Sequence, residues 1–302
     1  MKIQDLRKIG KDILIKNNVE DAVFKVDRLL SFVLNMSKAE LIINSSKELD
    51  TSTEGAFLTY INDISEGKPI QYITNEQEFM KINFYVNENV LIPQPDTEIL
   101  VENAIERIKN YEKETIDVLD LCTGSGAIAV SIKKYTENIG KKVNVFASDI
   151  SQKALEVAKK NAKENGTNIE FILSDLFASI KKTFDVIVSN PPYIASSVIG
   201  SLSKEVQREP NLALDGGIDG LEFYKNIAKD GYKYLNVDGC LILEIGYDQK
   251  MQVMDLFKNC GMYEKIDCKK DLSGNDRMVV VESKNKWGEV YDIFCRGKRR
   301  IK

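Results

Sequence analysis

Apolar positions recur every three to four residues through the first 68 residues, the spacing that places side chains on one face of a helix. Ile3, Leu6, Ile9 and Ile13 form one series, and Val23, Val26, Leu29, Leu30 and Val33 a second. Ser37-Lys38-Ala39-Glu40 and Thr51-Ser52-Thr53-Glu54 both read as capping boxes, in which a hydroxyl and a carboxylate satisfy free backbone N–H groups at a helix start. Phe57, Ile61 and Ile64 line one face of the helix that follows. Gly67 and Pro69 end it, because glycine tolerates the left-handed cap and proline cannot continue the turn. A small helical bundle is expected over residues 1–68.

The pattern changes at 69. Phe79, Ile82, Phe84, Tyr85, Val86 and Val90 fall in short pieces between Asn and Glu, which predicts a β-hairpin linker over 69–92. Pro93 and Pro95 lead into a predicted helix at 96–110 capped by Asp96 or Thr97. From 115 onward, short apolar runs (Ile116–Leu121, Val143–Ser148, Ile169–Leu173, Phe184–Val188, Leu241–Ile245 and a last one at Met278–Val281) alternate with helical patterns such as Ala154–Asn165 and Leu221–Leu235. Alternation of this kind builds an α/β domain, a mostly parallel sheet with helices on both faces, here over 93–283. The segment 284–302 stands apart, with seven Lys and Arg residues against two acidic ones. It reads as a solvated basic tail, or as a weak contact for RNA or the ribosome.

Composition narrows the chemistry. The 302 residues carry a net charge of −4, which disfavours a duplex-DNA binder. No apolar run approaches the ~20 residues that cross a bilayer, and no signal peptide is apparent, so a cytoplasmic protein with no membrane partner is expected. The five cysteines (Cys122, Cys240, Cys260, Cys268, Cys295) form no CxxC pair, so no metal site is expected. There is no histidine. Triads and metal sites built on histidine are therefore excluded, and a chemical step that is nearly independent of pH around neutrality is expected.

Asp120-Leu121-Cys122-Thr123-Gly124-Ser125-Gly126 follows the first strand of the α/β region and opens a helix. Glycines let backbone approach a ligand closely, and a helix start offers free N–H groups. Gly124-x-Gly126-x-x-Ala129 also satisfies the dinucleotide fingerprint, with Asp149 at the end of the next strand to accept ribose hydroxyls. The ribose is therefore legible and the rest of the cofactor is not. Asp175, in Ser174-Asp175-Leu176-Phe177, is placed to accept from an adenine amino group or to cap a following helix.

Asn190-Pro191-Pro192-Tyr193 closes the strand Phe184–Val188. Two prolines fix φ and hold the residues before them extended, giving a rigid ledge at the carboxyl end of a parallel strand, where such sheets bind ligands. The Asn190 oxygen and a proline carbonyl can accept both hydrogens of one NH₂, and the Tyr193 ring can stack on a planar amide or base. An amide nitrogen is a poor nucleophile, so alignment with a good leaving group, worth on the order of 7–11 kcal/mol, would supply most of the catalysis. A nucleic-acid amino methyltransferase would use the same ledge for N6 of adenine or N2 of guanine. A nicotinamide oxidoreductase would explain the glycine loop and leave 190–193 without a role.

With these motifs the chain resembles the N5-glutamine methyltransferases of peptide chain release factors. The stretches that carry the resemblance are Gln71-Tyr72-Ile73, Glu78-Phe79, Val90–Glu98, the glycine loop, Asn190–Ile194, Glu209-Pro210, Ala213–Leu221, Leu243-Glu244-Ile245-Gly246 and Asp271–Arg277. The resemblance implies a seven-stranded Rossmann-like methyltransferase domain behind a helical domain that grips the release factor. It also implies S-adenosylmethionine held by Cys122, Thr123, Gly124, Ser125, Gly126, Asp149, Asp175 and Leu176, bordered by Asn190. Asn190, Pro191, Pro192 and Tyr193 would then hold the glutamine of a Gly-Gly-Gln loop. Cys122 and Gln94 depart from the glycine and arginine usual in the family.

Overall fold

The computed structural model describes residues 1–284 and divides them into two compact units. The reading of the basic tail falls almost wholly outside the described residues.

The first unit holds α1 (Ile3–Lys16), α2 (Ala22–Leu34), α3 (Lys38–Ile43), α4 (Thr51–Ser65) and the short α5 (Ile70–Thr74), with residues 86–88 and 200–209. Its core is Leu6, Leu14, Val26, Leu29, Leu30, Phe57, Ile61 and Ile64. The buried stripe of α1 is Ile3, Leu6, Gly10 and Leu14, while Ile9 and Ile13 are half-buried. The reason is Gly10: a Cβ there would stand 2.9 Å from the Phe57 ring, so the missing side chain is the socket for α4. On α2 the predicted Val23 is exposed, and Lys25 is buried in its place, paired with Glu205. The Ser37 capping box forms as expected. The second does not. Asp50 caps α4 by accepting from the Thr53 N–H at 2.9 Å, and Thr51 is already helical. The helix starts one residue earlier than expected: Asp50 is the cap, and the Glu54 N–H that Thr51 was expected to hold goes to the Asp50 carbonyl at 3.1 Å.

The second unit opens with the hairpin β1 (Glu76–Phe79) and β2 (Ile82–Tyr85), of which residues 77–85 belong to it. Both turn residues have positive φ, Met80 at 51° and Lys81 at 56°, the geometry that matches strand twist but normally selects Asn or Gly. The turn is held from outside: Glu98 accepts from the Met80 N–H at 2.7 Å, and the Tyr135 hydroxyl donates to the Met80 carbonyl at 2.8 Å.

A 3₁₀ turn, Pro95–Thr97, leads into α6 (Glu98–Asn110), and then come β3 (Thr115–Leu121), α7 (Ala127–Asn138), β4 (Lys142–Asp149), α8 (Gln152–Glu164), β5 (Ile169–Leu173) and β6 (Phe184–Ser189). Three single-turn helices follow, α9 (Ser196–Ile199), α10 (Lys204–Gln207) and α11 (Asn211–Leu214), before α12 (Glu222–Asp230), β7 (Leu235–Glu244), α13 (Lys250–Cys260), β8 (Tyr263–Lys270) and β9 (Asp276–Ser283). The seven-stranded sheet has the order β5-β4-β3-β6-β7-β9-β8. β3 to β7 pair in parallel, and β9 runs antiparallel to both β7 and β8. Val118, Val186 and Ile242 enter the core on one face and Leu119, Ile187 and Leu241 the core on the other. A sheet covered on both faces needs apolar residues at every position, which is why these strands read as continuous runs.

Three local expectations are corrected. Neither Asp96 nor Thr97 caps α6: Thr97 is helical itself (φ −73°, ψ −16°) and its side chain makes no cap bond. No helix follows Asp175. Residues 175–179 form turns, in which the Ser174 hydroxyl, not Asp175, accepts from the Ser179 N–H at 2.9 Å. β8 was not anticipated, because Tyr263 is its one buried residue and its charges face outward at the sheet edge. Among the described residues, no helix is long and apolar enough to cross a membrane and no cluster of metal ligands occurs.

Candidate active site

The register of the sheet assembles the site. Leu121 pairs with Ser148 on one side and Ser189 on the other, Asp149 pairs with Leu173, and Ser189 pairs with Leu243. The residues that follow these positions, Cys122, Asp149, Ser174, Asn190 and Glu244, therefore form one row along the carboxyl edge. Four of the stretches singled out in the sequence meet there because parallel strands of matched register end together.

The glycine loop is braced from both sides. Asp149 accepts from the Gly124 N–H at 2.9 Å and from the Ser151 N–H at 2.8 Å. Fully buried Asn161 on α8 donates to the Ser125 carbonyl at 2.8 Å and binds both backbone groups of Tyr85. Gly126 (φ 80°) passes α8 so closely that a Cβ would stand 3.0 Å from that of Ala158. Gly124 (φ 54°) faces open space, with nothing within 4 Å of a Cβ position. Cys122 also has a left-handed backbone, φ 62°. Burial and the neighbouring Asp149 carboxylate push its thiol up, so it is not a thiolate at neutral pH.

Asp120, at the end of β3, has no exposed surface. One carboxylate oxygen accepts from the Thr123 hydroxyl and, at 3.1 Å, from the Ala129 N–H; the other has no partner. Burial raises its carboxyl to about 7, with Thr123 and Ala129 opposing. Burial likewise raises Asp149 above the ordinary carboxylate range. The open face at Gly124, the unsatisfied Asp120 oxygen and the remaining lone pairs of Asp149 fit a ligand that carries a cationic amine and ribose hydroxyls. Asp175 is exposed and Leu176 takes φ 43° beside them.

The ledge is pinned by the segment 214–220, a role the sequence did not reveal. Ile194 donates to the Leu214 carbonyl at 3.0 Å and accepts from the Gly216 N–H at 2.8 Å. A Cβ on Gly216 would stand 2.8 Å from Tyr193 Cα, and one on Gly220 would stand 2.5 Å from the Tyr193 carbonyl oxygen. Gln249 donates to that same carbonyl at 2.9 Å. Pro191 and Pro192 are buried. The Asn190 Nδ2 donates to Thr97 Oγ1 at 3.2 Å. The Tyr193 hydroxyl donates to Glu244 Oε1 at 3.4 Å, and burial beside that carboxylate raises the phenol well above its ordinary value. Thr97, Asn161, Glu244 and Arg277 were missed as site residues. All but Asn161 lie inside the stretches of the resemblance, which was the available signal.

Residues 95–209 match the family model described as Methyltransferase small domain, and residues 5–74 the one described as PrmC N-terminal domain. The release factor glutamine methyltransferase of Clostridium acetobutylicum is 40% identical over 290 residues, covering 93% of this chain and 98% of that protein. The protein of the same name from Buchnera aphidicola is 38% identical over 274 residues, covering 90% and 96%. Among solved structures, the hMettl16 catalytic domain in complex with MAT2A 3′UTR hairpin 6 matches with a TM-score of 0.52 at 15% identity, covering 73% of this chain and 83% of that one. The last likeness is one of fold alone.

Proposed function

The chain belongs to the release factor glutamine methyltransferase family, and on that premise we propose how its own residues carry out the transfer. The reaction moves a methyl group from S-adenosylmethionine to the side-chain amide nitrogen, N5, of a glutamine in a peptide chain release factor, the glutamine of its Gly-Gly-Gln loop. The cofactor supplies an electrophilic methyl on a sulfonium, an excellent leaving group. Cys122, Thr123, Gly124, Ser125 and Gly126 would form the cradle for it, Asp149 would accept from its ribose, and Asp175 and Leu176 would border its base.

One observation carries the reading. Asn190 has its amide nitrogen tied to Thr97 at 3.2 Å, which leaves its oxygen as the acceptor at the carboxyl edge, in the row that contains Cys122 and Asp149. That oxygen and a carbonyl of the Pro191-Pro192 pair accept the two hydrogens of the substrate NH₂ and aim its nitrogen at the methyl group. Acceptors on both N–H bonds stabilise the positive charge that develops on nitrogen, and the surplus proton leaves to water. Tyr193 backs the planar amide. Residues 1–68 grip the folded factor, and that remote binding energy positions the reacting group. The cytoplasm, where translation ends, is the compartment this assigns.

The test is mass spectrometry of a purified release factor after incubation with the protein and S-adenosylmethionine. One methyl group on the glutamine is expected, with none on RNA. Asn190→Ala abolishes the transfer and leaves cofactor binding by calorimetry intact, and a short Gly-Gly-Gln peptide is a far poorer substrate than the factor. Methylation of RNA with none of the factor, or equal rates on peptide and factor, would overturn the reading.

A further inference from the structure

Residues 216–220 form an arc that straddles Tyr193. At one foot, a Cβ on Gly216 would stand 2.8 Å from Tyr193 Cα; at the other, a Cβ on Gly220 would stand 2.5 Å from the Tyr193 carbonyl oxygen. Only glycine fits at either foot. Gly217 and Gly220 take φ of 87° and 70°, which lets the chain turn between them. The arc is braced along its length. The Asp215 carboxylate accepts from the Gly217 N–H at 3.0 Å and from the Ser196 hydroxyl at 2.6 Å. The Gly217 carbonyl accepts from the Ser196 N–H at 2.9 Å, and the Gly216 carbonyl from the Glu222 N–H at 3.0 Å. Asp219 accepts from the Leu221 N–H at 3.1 Å and pairs with Lys225 at 2.6 Å. Gln249 donates to the Gly220 carbonyl at 3.2 Å.

At the apex is Ile218, with 93% of its surface exposed. It lies two residues, at most roughly 7 Å, from either foot. A large apolar side chain held in water at the top of a rigid turn adds little to the stability of this chain. Single exposed apolar residues are ordinary, and a gathering of them is not. Among the described residues of the second unit, exposed large apolar side chains gather at the carboxyl edge of the sheet, where Ile150, Val198, Leu212, Ile218, Tyr247 and Leu272 all stand in segments that leave strand ends. Ile139 and Val237 lie at the opposite edge.

We propose that the arc is a docking lip for the release factor, with Ile218 packing against the stretch of the factor that flanks the reacting glutamine. The occupant follows from continuity. The arc is bonded to Tyr193, and Tyr193 belongs to the ledge that receives the glutamine, so the chain that carries the glutamine runs beside the arc. Glycines next to the glutamine present bare backbone, a flat apolar surface that a β-branched side chain covers well. A braced arc has little freedom to lose on binding, so the burial of Ile218 is not offset by ordering. Ile218 holds the factor equally in the ground state and the transition state, and acts on binding rather than on the transfer itself.

The inference rests on the function proposed above, and its test keeps the two apart. Steady-state methylation of purified release factor at saturating S-adenosylmethionine is measured on the full-length protein. Ile218→Ser raises the KM for the factor roughly tenfold and leaves kcat within about twofold, the pattern of lost uniform binding. Ile218→Leu, which keeps the apolar volume, stays near the wild-type KM. Ile139→Ser removes an exposed isoleucine at the opposite edge and changes neither constant. Because Ile218 stands in water, its variants melt with the wild type and bind the cofactor with the wild-type dissociation constant. An Ile218→Ser protein with the wild-type KM, one that loses kcat instead, or an Ile139→Ser protein with the same rise in KM overturns the inference while wild-type methylation still supports the function. Sedimentation tests a second copy of this chain as the occupant: a wild type that dimerises where Ile218→Ser stays monomeric, with KM unchanged, assigns the lip to self-association and overturns the inference. A wild-type protein that binds the cofactor and leaves the glutamine unmodified overturns both.

Discussion

The Arg277 guanidinium reaches from β9 to the Asp96 carboxylate, 3.1 Å away in the turn before α6. The same guanidinium binds Asp271 at 3.2 Å, and Asp271 in turn accepts from the Ser273 and Asn275 N–H groups at 2.9 Å each. One cation thus joins two of the stretches that carry the resemblance, Val90–Glu98 and Asp271–Arg277.

Arg277 is nearly buried, whereas the Asp96 side chain is 53% exposed. Losing Arg277 therefore costs more than losing Asp96. Arg277→Gln lowers unfolding stability in urea by about 2 kcal/mol, the scale of charged hydrogen bonds. Asp96→Asn costs under about 1 kcal/mol, because an exposed pair is screened by water. Equal losses would show that the exposed pair, not the Asp271 contact, does the holding.

Cys122 stands at φ 62°, where an L side chain crowds the backbone. Relief of that strain is worth about 1–2 kcal/mol, less the greater freedom of glycine in the unfolded chain. Cys122→Gly is therefore expected to raise stability by about 0.5–1 kcal/mol and leave cofactor affinity equal or better. A less stable variant would mean that packing of the thiol outweighs the strain.

Asp149 accepts from the Gly124 N–H at 2.9 Å, and under the proposed function it also accepts from the cofactor's ribose. Asp149→Ala weakens S-adenosylmethionine binding by roughly 1.5–3 kcal/mol in calorimetry. An unchanged dissociation constant would assign the residue to bracing the loop alone.

Asp120 carries a pH signature in stability. Its folded carboxyl sits near 7, above its unfolded value, so the folded state binds the extra proton. Stability from this group is full below the unfolded value and is lost as pH rises through about 7. Asp120→Asn removes that loss, on the order of 4 kcal/mol at most. Its melting temperature relative to the wild type should thus climb between about pH 5 and 8. A pH-independent difference would show that Asp120 is already ionised over this range when folded, as it is in the unfolded chain.

Much of the site was legible because its chemistry is local. Pro191 and Pro192 fix their own φ angles, glycine at 124 and 126 supplies left-handed backbone, and strand-type runs interrupted by helical periods specify a parallel sheet. Local readings failed where neighbouring polar residues offered alternative starts for one turn. Asp50 caps α4 in place of Thr51, and after β5 the Ser174 hydroxyl, not Asp175, accepts from the Ser179 N–H. β8 escaped because a charged edge strand has one face to bury and little apolar pattern to show.

By itself the sequence determined the Asn-Pro-Pro-Tyr turn, the glycine loop, the acid at the end of β4 and the alternation that brings them to one edge. The tertiary structure decided which polar groups stand behind them. Thr97 looks in sequence like a helix cap, and Glu244 like the polar end of an apolar strand. Their contact with the ledge depends on β6 and β7 pairing Ser189 with Leu243, and on the Pro95–Thr97 turn delivering a hydroxyl to Asn190. Hydrogen bonds between residues 93 and 51 positions apart leave no period in the chain, because their geometry exists only once the sheet register is set.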